Sequence, residues 1–355
     1  MITVIRSSAS SEERAQLMTL LCRVSGSQRP IATIRINEQE VIALDGSILD
    51  AQTRTTISQQ RAVERIVPIK TPYKLVSRAF KSQDSTIVVG DALGAHPVVI
   101  GGSSPTIIAG PCAVENREQL LTTARAVQAA GAQILRGGAF KPRTSPYQFQ
   151  GLGVEGLHLL EEARKETGLP VITEVMEPNL VETVSQYADI LQIGSRNMQN
   201  FPLLRAAGQN SHGRPVMLKR GLAATIEEWL LAAEYIVAAG NPNVILCERG
   251  IRSFDTQTRN LLDLSCVPLL RELTHLPIIV DPSHATGRRE LVPTMSRASI
   301  AAGADGLILE VHPDPNSALC DGRQSITPEQ LQRVVRETSL IAQVLGGKAG
   351  LSYVA

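Results

Sequence analysis

The strongest constraint on the fold is a unit of strand, ionisable residue and helix that recurs from Thr106 onward. Each unit opens with a short apolar run of strand length, has a charged or small polar residue at its end, and closes with residues at helical spacing. The predicted strands are Thr106–Pro111, Gln133–Phe140, Val171–Val175, Ile190–Ser195, Val216–Arg220, Val244–Arg249, Ile278–Asp281 and Gly306–Val311. Strands that alternate with helices predict βαβ units and a parallel sheet.

Helical patterns fill the gaps, and the clearest are Arg117–Ala130, Ile226–Ala239, Arg289–Ala302 and Pro328–Leu345. Eight such units in about 240 residues fit a closed barrel, for which ~250 residues are typical. The alternative is a doubly wound open sheet, which often carries a glycine-rich phosphate loop after its first strand. The first strand here runs into Ala109-Gly-Pro-Cys-Ala-Val114, which lacks that loop. We therefore expect an α/β fold with a (β/α)8 TIM barrel.

Residues 1–72 follow the order strand, helix, strand, strand, helix, strand, which is typical of a small ferredoxin-like α+β domain. The predicted elements are Ile2–Arg6, Glu12–Val24, Ile31–Ile36, Val41–Leu44, Leu49–Gln59 and Ala62–Pro68. This region supplies no converging set of ionisable residues, so we expect a role in regulation or assembly. Residues 73–103 are expected to be a linker and a β-hairpin that closes the barrel bottom, and residues 104–355 the catalytic barrel.

Composition excludes several classes of protein. Hydrophobic residues make up 43% and charged residues 19% of the chain, as in globular proteins. Aromatic residues are scarce at 3% and the formal net charge is +1, which argues against binding to nucleic acid or to an anionic membrane. The start lacks a signal-peptide pattern, no apolar run approaches ~20 residues, and the five cysteines are scattered. We therefore expect a cytoplasmic protein without a disulfide framework.

Ionisable residues stand at or just after the carboxyl ends of the predicted barrel strands. In chain order they are Cys112, Arg136 with Lys141, Glu174, Arg196, Lys219, Glu248 with Arg249, Asp281 with His284, and Glu310 with His312. Barrel enzymes place their chemistry at this end of the strands. One such residue alone would be a solvated loop residue or half of an ion pair, but the full set predicts an active site.

Four of the predicted site residues form a donor set for a divalent transition metal. They are a thiol, an imidazole and two carboxylates: Cys112, His284, Glu310 and Asp321. Each has a simpler interpretation, since a cytosolic cysteine is most often a small buried hydrophobe and a loop histidine can cap a helix. Together they favour a metal site, and manganese, iron, cobalt, zinc and cadmium all suit such donors.

A surplus of cations converges on the same mouth: Arg136, Lys141, Arg143, Arg196, Lys219 and Arg249. Cations that are so close repel one another unless an anion lies between them. Phosphate and carboxylate groups fit, because arginine binds both in bidentate fashion. The alternative is that one or two of the six form structural ion pairs. The stiff, donor-rich loop Lys141-Pro-Arg-Thr-Ser-Pro146 suits a second phosphate, although it is also compatible with a surface turn.

Several segments resemble those of the 3-deoxy-D-arabino-heptulosonate 7-phosphate (DAHP) synthases, the first enzymes of the shikimate pathway. They are Ala109–Glu115, Leu135–Ser145, Phe149–Gly153, Gln192–Asn197, Leu218–Gly221, Leu246–Arg252, Val280–His284, Glu310–Pro313 and Asp321–Ser325. The likeness spans the whole barrel. The short ferredoxin-like region and Pro72-Tyr-Lys-Leu-Val-Ser-Arg78 resemble the type Iβ subgroup.

The resemblance implies a role for each matching residue. Cys112, His284, Glu310 and Asp321 would bind one divalent metal ion. Phosphoenolpyruvate would be held by Arg136, Lys141, Arg196, Lys219 and Arg249. Erythrose 4-phosphate would contact Lys141, Pro142, Arg143 and Thr144. Lys141 is expected to donate a proton to the new alkoxide, and Glu174 to orient or deprotonate the water.

Two alternatives stay open for the function. One is 3-deoxy-D-manno-octulosonate 8-phosphate synthase, which uses arabinose 5-phosphate and is expected to have a longer, asparagine-containing sugar loop. The other is a non-catalytic phosphosugar sensor, which need not keep a full set of metal ligands. The resemblance also implies a homotetramer and feedback inhibition by tyrosine or phenylalanine, although no residue identifies the effector. Cys320, which precedes Asp321, is expected to approach Cys112 when no metal is bound.

Overall fold

A computed structural model describes residues 1–25, 32–36, 39–44 and 49–346. The amino-terminal unit consists of β1 (Ile2–Ile5), α1 (Ser11–Ser25), β2 (Ala32–Ile36), β3 (Gln39–Ala43), α2 (Ala51–Ser58) and β4 (Val63–Val67). Its strands form one antiparallel sheet in the order β2-β3-β1-β4. This is the predicted ferredoxin-like arrangement. Ile31, where the second strand was predicted to begin, lies outside the described residues.

Eight parallel strands close into a barrel, as predicted. They are β7 (Thr106–Gly110), β8 (Ile134–Arg136), β9 (Val171–Glu174), β10 (Ile190–Ile193), β11 (Val216–Lys219), β12 (Val244–Glu248), β13 (Ile278–Val280) and β14 (Gly306–Glu310). The barrel closes where β14 pairs with β7, from Gly306 opposite Thr106 to Glu310 opposite Gly110. The second strand was predicted to extend too far at both ends, since β8 covers only Ile134–Arg136.

The helices outside the barrel are α3 (Arg117–Ala129), α4 (Val154–Thr167), α5 (Val181–Tyr187), α6 (Phe201–Gly208), α7 (Ile226–Ala238), α8 (Cys266–Leu273), α9 (Pro282–Thr286), α10 (Val292–Ala301) and α11 (Pro328–Val344). Local hydrogen bonds start several of them. Capping boxes at Thr225 and Thr327 satisfy the first backbone N–H groups of α7 and α11. The helix predicted from Arg289 begins at Val292 instead, with Pro293 in its first turn.

A short hairpin packs against the apolar interior of the barrel. Its strands are β5 (Ile87–Val89) and β6 (Val98–Ile100), which pair antiparallel. Its buried residues Ile87, Val89 and Ile100 form one cluster with inward-facing residues of all eight barrel strands. This is the packing expected of a hairpin that closes the bottom of the barrel. The boundaries proposed for the three segments, residues 1–72, 73–103 and 104–355, remain a prediction.

The amino-terminal sheet has two buried faces. Met1 and Ile5 face the helices α1 and α2, in a cluster that includes Leu17 and Ile57. Residues of the opposite face, such as Ile2 and Val4 on β1, belong to the same apolar cluster as the barrel helices, and β2 contacts α7. The unit therefore packs on its own barrel. In the described part of the chain, no helix is both long and apolar enough to cross a membrane.

One half-buried carboxylate of α7 holds the linker that follows β4. Glu234 on α7 accepts hydrogen bonds from the backbone N–H of Leu75, at 2.8 Å, and of Val76, at 3.0 Å. Burial raises the pKa of this carboxyl, although the backbone donors act in the opposite direction. The same helix thus contacts the amino-terminal unit and holds the chain that leaves it.

Candidate active site

The period of two along the barrel strands separates an apolar layer from a charged layer. Ile134, Ile172, Met217, Ile279 and Ile308 belong to the apolar interior. The residues two positions further along these strands point the same way and are charged: Arg136, Glu174, Lys219, Asp281 and Glu310. All five are buried. Charged groups therefore form a layer at the carboxyl end of the barrel because each strand continues for one more inward position.

A cavity of about 240 Å³ lies above this layer. It is lined by every residue predicted to bind the two substrates and by Glu174, His284 and Asp321 of the other predicted sets. The remaining lining residues are Gln148, Gln192, Gly194, Ser195, Arg259 and Cys320. Cys112 and Glu310 lie beneath the surface of the cavity, where both are buried.

The four predicted metal ligands are close in space. The Nε2 atom of His284 lies 3.3 Å from Glu310 Oε1 and 3.8 Å from Asp321 Oδ2. The Sγ atom of Cys112 lies 3.5 Å from Asp321 Oδ2. Asp321 therefore joins two overlapping groups of possible ligands, His284 with Glu310 and Cys112 with Cys320.

The donor set fits a divalent transition metal. Glu310 Oε1 is buried and has no hydrogen-bond partner in the described part of the chain, although Arg136 lies 3.2 Å away as an ion-pair partner. A buried carboxylate oxygen that accepts no hydrogen bond and lies beside an imidazole is a favourable position for a bound cation. Burial lowers the pKa of His284 despite two nearby carboxylates, so the ring is neutral at physiological pH and can act as a ligand.

The remaining groups of the cluster differ in protonation. Burial alone would raise the pKa of the Asp321 carboxyl, but His284, Arg259 and Lys141 lower it to about 2. The two thiols form a hydrogen-bonded pair with their Sγ atoms 2.9 Å apart. This bond, together with burial, raises the pKa of Cys112 well above its ordinary value, and the same bond lowers the pKa of Cys320. The expected approach of Cys320 to Cys112 is thus present.

Two of the six predicted cations pair with buried carboxylates, as the structural alternative anticipated. Arg136 pairs with Glu310 at 3.2 Å, and Lys219 pairs with Asp281 at 2.7 Å. Arg249 is different, because its buried Nη1 has no hydrogen-bond partner in the described residues and burial lowers its pKa. The site therefore keeps positive charge that its carboxylates offset only in part.

Lys141 lies on the loop after β8 and reaches back under the cavity. The start of this loop packs closely on the backbone of Cys112, and only glycine fits there, because a Cβ atom on Gly138 would lie 2.8 Å from Cys112 O. The Lys141 Nζ atom donates to Cys112 O at 3.2 Å. Burial alone would lower the pKa of Lys141, but the two thiols and Glu174 raise it above its ordinary value. The lysine is therefore protonated at neutral pH.

The outer wall of the cavity carries the other cations of the predicted set. Arg143 donates to Cys320 Sγ at 2.7 Å. Arg196 is exposed, and its Nη2 atom lies 3.5 Å from Thr144 Oγ1. Both side chains line the cavity, so an anion that enters would meet exposed cations first and buried cations after them.

Glu174 is held at the cavity by two features of the neighbouring strand. Gln192 Nε2 donates to Glu174 Oε2 at 3.3 Å. A Cβ atom on Gly194 would lie only 2.0 Å from Glu174 Oε1, so glycine is required for the carboxylate to take this position. Gln192 and Gly194 lie in a segment that resembles the DAHP synthases, but the sequence predicted no role for either.

Arg259 is a cavity residue that sequence reasoning missed. It donates to Gln324 Oε1 at 2.9 Å and lies 3.5 Å from Asp321 Oδ2. The backbone N–H groups of Arg259 and Asn260 donate to the carbonyls of Thr286 and Ala285. Arg259 lies on a long loop, where no periodic pattern marks an inward position, so its neighbours in sequence gave no signal.

The fold and the site define a barrel protein in which possible metal ligands lie beside a cavity lined by cationic side chains. The profile of the DAHP synthetase I family matches residues 79–343, and the chain belongs to this family.

Known relatives are similar over different shares of the chain. The phospho-2-dehydro-3-deoxyheptonate aldolase of Thermotoga maritima is 48% identical over 355 residues, which cover 98% of this chain and 99% of that protein. A 2-dehydro-3-deoxyphosphooctonate aldolase of Syntrophotalea carbinolica is 34% identical and covers 72% of this chain and 98% of its own length.

Two solved structures from Thermotoga maritima are similar in fold. The crystal structure of its DAHP synthase has a TM-score of 0.75 and 46% identity, and covers 98% of each chain. A truncated form of that synthase has a TM-score of 0.71 and 51% identity, and covers 78% of this chain and 98% of its own.

Proposed function

We propose that this chain is a metal-dependent DAHP synthase, which condenses phosphoenolpyruvate with erythrose 4-phosphate and water to give DAHP and inorganic phosphate. The observation that carries this proposal is the cavity in which buried cations lie beside a thiol, an imidazole and two carboxylates. Similarity over almost the full length to a phospho-2-dehydro-3-deoxyheptonate aldolase supports it. The reaction begins the shikimate pathway in the cytoplasm.

Phosphoenolpyruvate binds at the floor of the cavity, where its phosphate and carboxylate offset the positive charge. The residues that hold it are Arg136, Lys141, Lys219 and Arg249, which are buried, and Arg196, which reaches in from the outer wall. Erythrose 4-phosphate binds nearer the rim, where its phosphate meets Arg143 and Thr144 on the stiff loop after β8, and Lys141 and Pro142 complete its site. The two substrate sites share Lys141, and the other cations of each set lie at different depths of the cavity, which places the aldehyde above the enol.

Cys112, His284, Glu310 and Asp321 hold one divalent metal ion, and manganese, iron, cobalt, zinc and cadmium all suit these donors. When bound, such an ion supplies a Lewis acid for the aldehyde oxygen. The low pKa of Asp321 and the neutral ring of His284 keep both in the form that binds a cation at neutral pH. Cys320 is a neighbour of this set and not one of the four ligands.

Two side chains of the protein carry out the proton transfer and the activation of water. C3 of phosphoenolpyruvate attacks the aldehyde carbon, and the protonated Lys141 donates a proton to the alkoxide that forms. Water adds to the cationic C2, oriented or deprotonated by Glu174, whose carboxylate is held in place by Gln192. The resulting phosphohemiketal loses inorganic phosphate, so atoms and charge balance across the step.

The alternative activity uses arabinose 5-phosphate and gives 3-deoxy-D-manno-octulosonate 8-phosphate. Relatives named 2-dehydro-3-deoxyphosphooctonate aldolase match a smaller share of this chain at lower identity. The experiment is a turnover assay with phosphoenolpyruvate and each aldose in turn. We expect phosphate release with erythrose 4-phosphate at a far higher kcat/KM. Faster turnover of arabinose 5-phosphate would favour the alternative, and turnover of neither would favour the phosphosugar sensor.

We also propose that residues 1–72 regulate the barrel. Tyrosine or phenylalanine would bind to the amino-terminal unit of a homotetramer and favour an arrangement that covers the mouth of the barrel. The absence of any catalytic residue from this unit supports such a role, because all the proposed chemistry lies beyond Gly110. Inhibition then depends on the difference in effector affinity between the open and covered states.

A further inference from the structure

Asp281 lies directly after β13 and is completely buried. Its Oδ2 atom accepts a hydrogen bond from Lys219 Nζ at 2.7 Å and another from His284 Nδ1 at 2.8 Å. Its Oδ1 atom accepts from the backbone N–H of His284 at 2.9 Å. A single carboxylate thus contacts one side chain of the proposed phosphoenolpyruvate site and one of the proposed metal site.

The contact with His284 fixes the position of the ring proton. Because a carboxylate only accepts hydrogen bonds, a neutral imidazole must carry its proton on Nδ1 to make this bond. The lone pair is then on Nε2, the atom that lies 3.3 Å from Glu310 Oε1. The bond to the backbone N–H restrains the same residue at a second point, so both the ring and its main chain are oriented.

The contact with Lys219 fixes the ammonium group at the floor of the cavity. Lys219 is buried and has a long side chain, so without a partner its ammonium would be costly to hold in one place. Because donors face both oxygens of Asp281, a proton on either oxygen would point towards another N–H group, so the ionised carboxylate fits this site.

We infer that Asp281 is a positioning residue that orders the metal site and the phosphoenolpyruvate site at the same time. The inference rests on the proposed function, since it assumes the roles given there to His284 and Lys219. Carboxylates that orient a metal-binding histidine in this way typically change metal affinity 10–100-fold when they are replaced. Here the same replacement also releases Lys219. The affinity for phosphoenolpyruvate should therefore fall together with the affinity for the metal, although Asp281 is assigned to neither binding site.

The variant for the test is Asp281→Asn, which has the same shape but replaces one of the two acceptor oxygens by an NH2 donor, so that it cannot accept from all three N–H groups. Co²⁺ binding is measured through the absorption of the cobalt–thiolate bond, and phosphoenolpyruvate binding by calorimetry, so neither measurement requires turnover. We expect Co²⁺ affinity to fall by about 10–100-fold. Phosphoenolpyruvate affinity should fall by about tenfold, the equivalent of one charge-assisted contact.

The matched control is Asp189→Asn. Asp189 is also buried, also lies next to a cation, Arg164, and also accepts from a backbone N–H, that of Val171 at 2.8 Å. It does not line the cavity. This variant should lose stability and keep both affinities, which separates positioning from a general loss of structure.

The outcomes are distinguishable. If Asp281→Asn binds Co²⁺ and phosphoenolpyruvate as the wild type does, or if Asp189→Asn loses both affinities equally, the inference is wrong. If the wild type binds neither, the proposed function itself fails. Should Asp281→Asn not fold, Asp281→Ser is measured in the same way, because serine keeps one small acceptor and leaves room for water.

Discussion

The sulfur atoms of Cys112 and Cys320 lie 2.9 Å apart, although 208 positions separate the two residues in the chain. Both thiols are free, and Cys320 also accepts a hydrogen bond from Arg143. A cation beside a thiol favours the thiolate, which is the form that oxidises. The pair therefore combines a nearby partner with an activated sulfur at the edge of the proposed metal site.

We expect metal-free protein that has been treated with a disulfide oxidant, such as oxidised glutathione, to show little activity when the metal is added back. Two thiols would give up two electrons and two protons to the oxidant and form the Cys112–Cys320 bond. Thiol titration of the unfolded protein should fall from the five cysteines of the reduced chain to three. Reductant should restore activity. Oxidation of Cys320→Ala at the same rate, with the same loss of activity, would show that this pair is not responsible.

Replacing Cys112 by serine should keep the fold, because the change is nearly isosteric. Loss of the thiolate donor is expected to weaken binding of Co²⁺ by at least about tenfold, since sulfur is the softest donor of the set. The measurement is Co²⁺ titration with circular dichroism as the check of folding. Cys266→Ser is the control, because Cys266 is buried in α8 and does not line the cavity. Equal Co²⁺ affinity in both variants would contradict the assignment.

Replacing Arg196 by lysine should impair phosphoenolpyruvate binding even though the charge is kept. One ammonium cannot reproduce the fork of a guanidinium, and an arginine contact to a bound anion is worth on the order of 2–5 kcal/mol when its loss leaves charge unpaired. Because Arg196 is exposed in the free protein, we expect the lower end of this range. The KM for phosphoenolpyruvate and kcat are compared with those of Arg205→Lys, an exposed arginine on α6. An unchanged KM and kcat in Arg196→Lys would refute the role.

The buried side chain of His275 should make the free energy of unfolding fall as the solution becomes acidic. Its Nε2 atom contacts Leu75 O at 2.9 Å and its Nδ1 contacts Ser85 Oγ at 2.8 Å. Burial lowers the pKa of His275 from 6.5 to about 4. The unfolded chain therefore binds more protons than the folded chain between these values. The stability that the neutral His275 provides is therefore fully present above pH 6.5. As the pH falls from 6.5 towards 4, the free energy of unfolding decreases by roughly 3 kcal/mol in all.

The measurement is the free energy of urea unfolding of wild type and His275→Gln at pH 7 and pH 5. We expect the difference between them to shrink by about 2 kcal/mol at the lower pH, because only the wild type has this group to protonate. His158→Gln serves as the control, since His158 is exposed. A difference that stays constant between the two pH values would rule out the linkage.

Deleting residues 1–72 should leave a barrel that still turns over but no longer responds to tyrosine or phenylalanine. Feedback coupling of about 1–3 kcal/mol is expected in the full chain, or about 5–150-fold in affinity. Initial rates with and without each amino acid test this, and light scattering gives the size of the assembly. No response of the wild type at millimolar effector, with a smaller assembly after deletion, would assign the unit to oligomerisation alone.

The sequence was most informative where a regular period fixes the direction of side chains. The eight strands and their charged ends were predicted because strands alternate inward and outward residues, so that Arg136, Lys219 and Glu310 had to meet at one mouth. Lys141 followed from the resemblance and not from the period. Gly137 and Gly138 end β8 early, and the lysine then returns to Cys112 from a loop.

Features that depend on contacts between loops could not be predicted. Arg259 reaches the cavity because its loop is hydrogen-bonded to the segment after His284, and nothing in its own neighbourhood indicates this. The bridge from Asp281 to Lys219 joins residues 62 positions apart. The sequence also did not determine which surface packs against the apolar face of the amino-terminal sheet, because the barrel, a second copy of the chain or both could cover it. The barrel helix α7 takes this position within the chain.

The packing of the amino-terminal sheet on α7 has a consequence for how the chain unfolds. Six of the 13 residues of α7 are buried, among them Trp229 and Ile236 in the apolar cluster that the sheet and the barrel helices share, and Glu234 holds the linker. A helix that contacts both the sheet and the barrel contributes to the packing of both. Damage to it should loosen both together, so that calorimetry would record one cooperative transition where the topology shows two units.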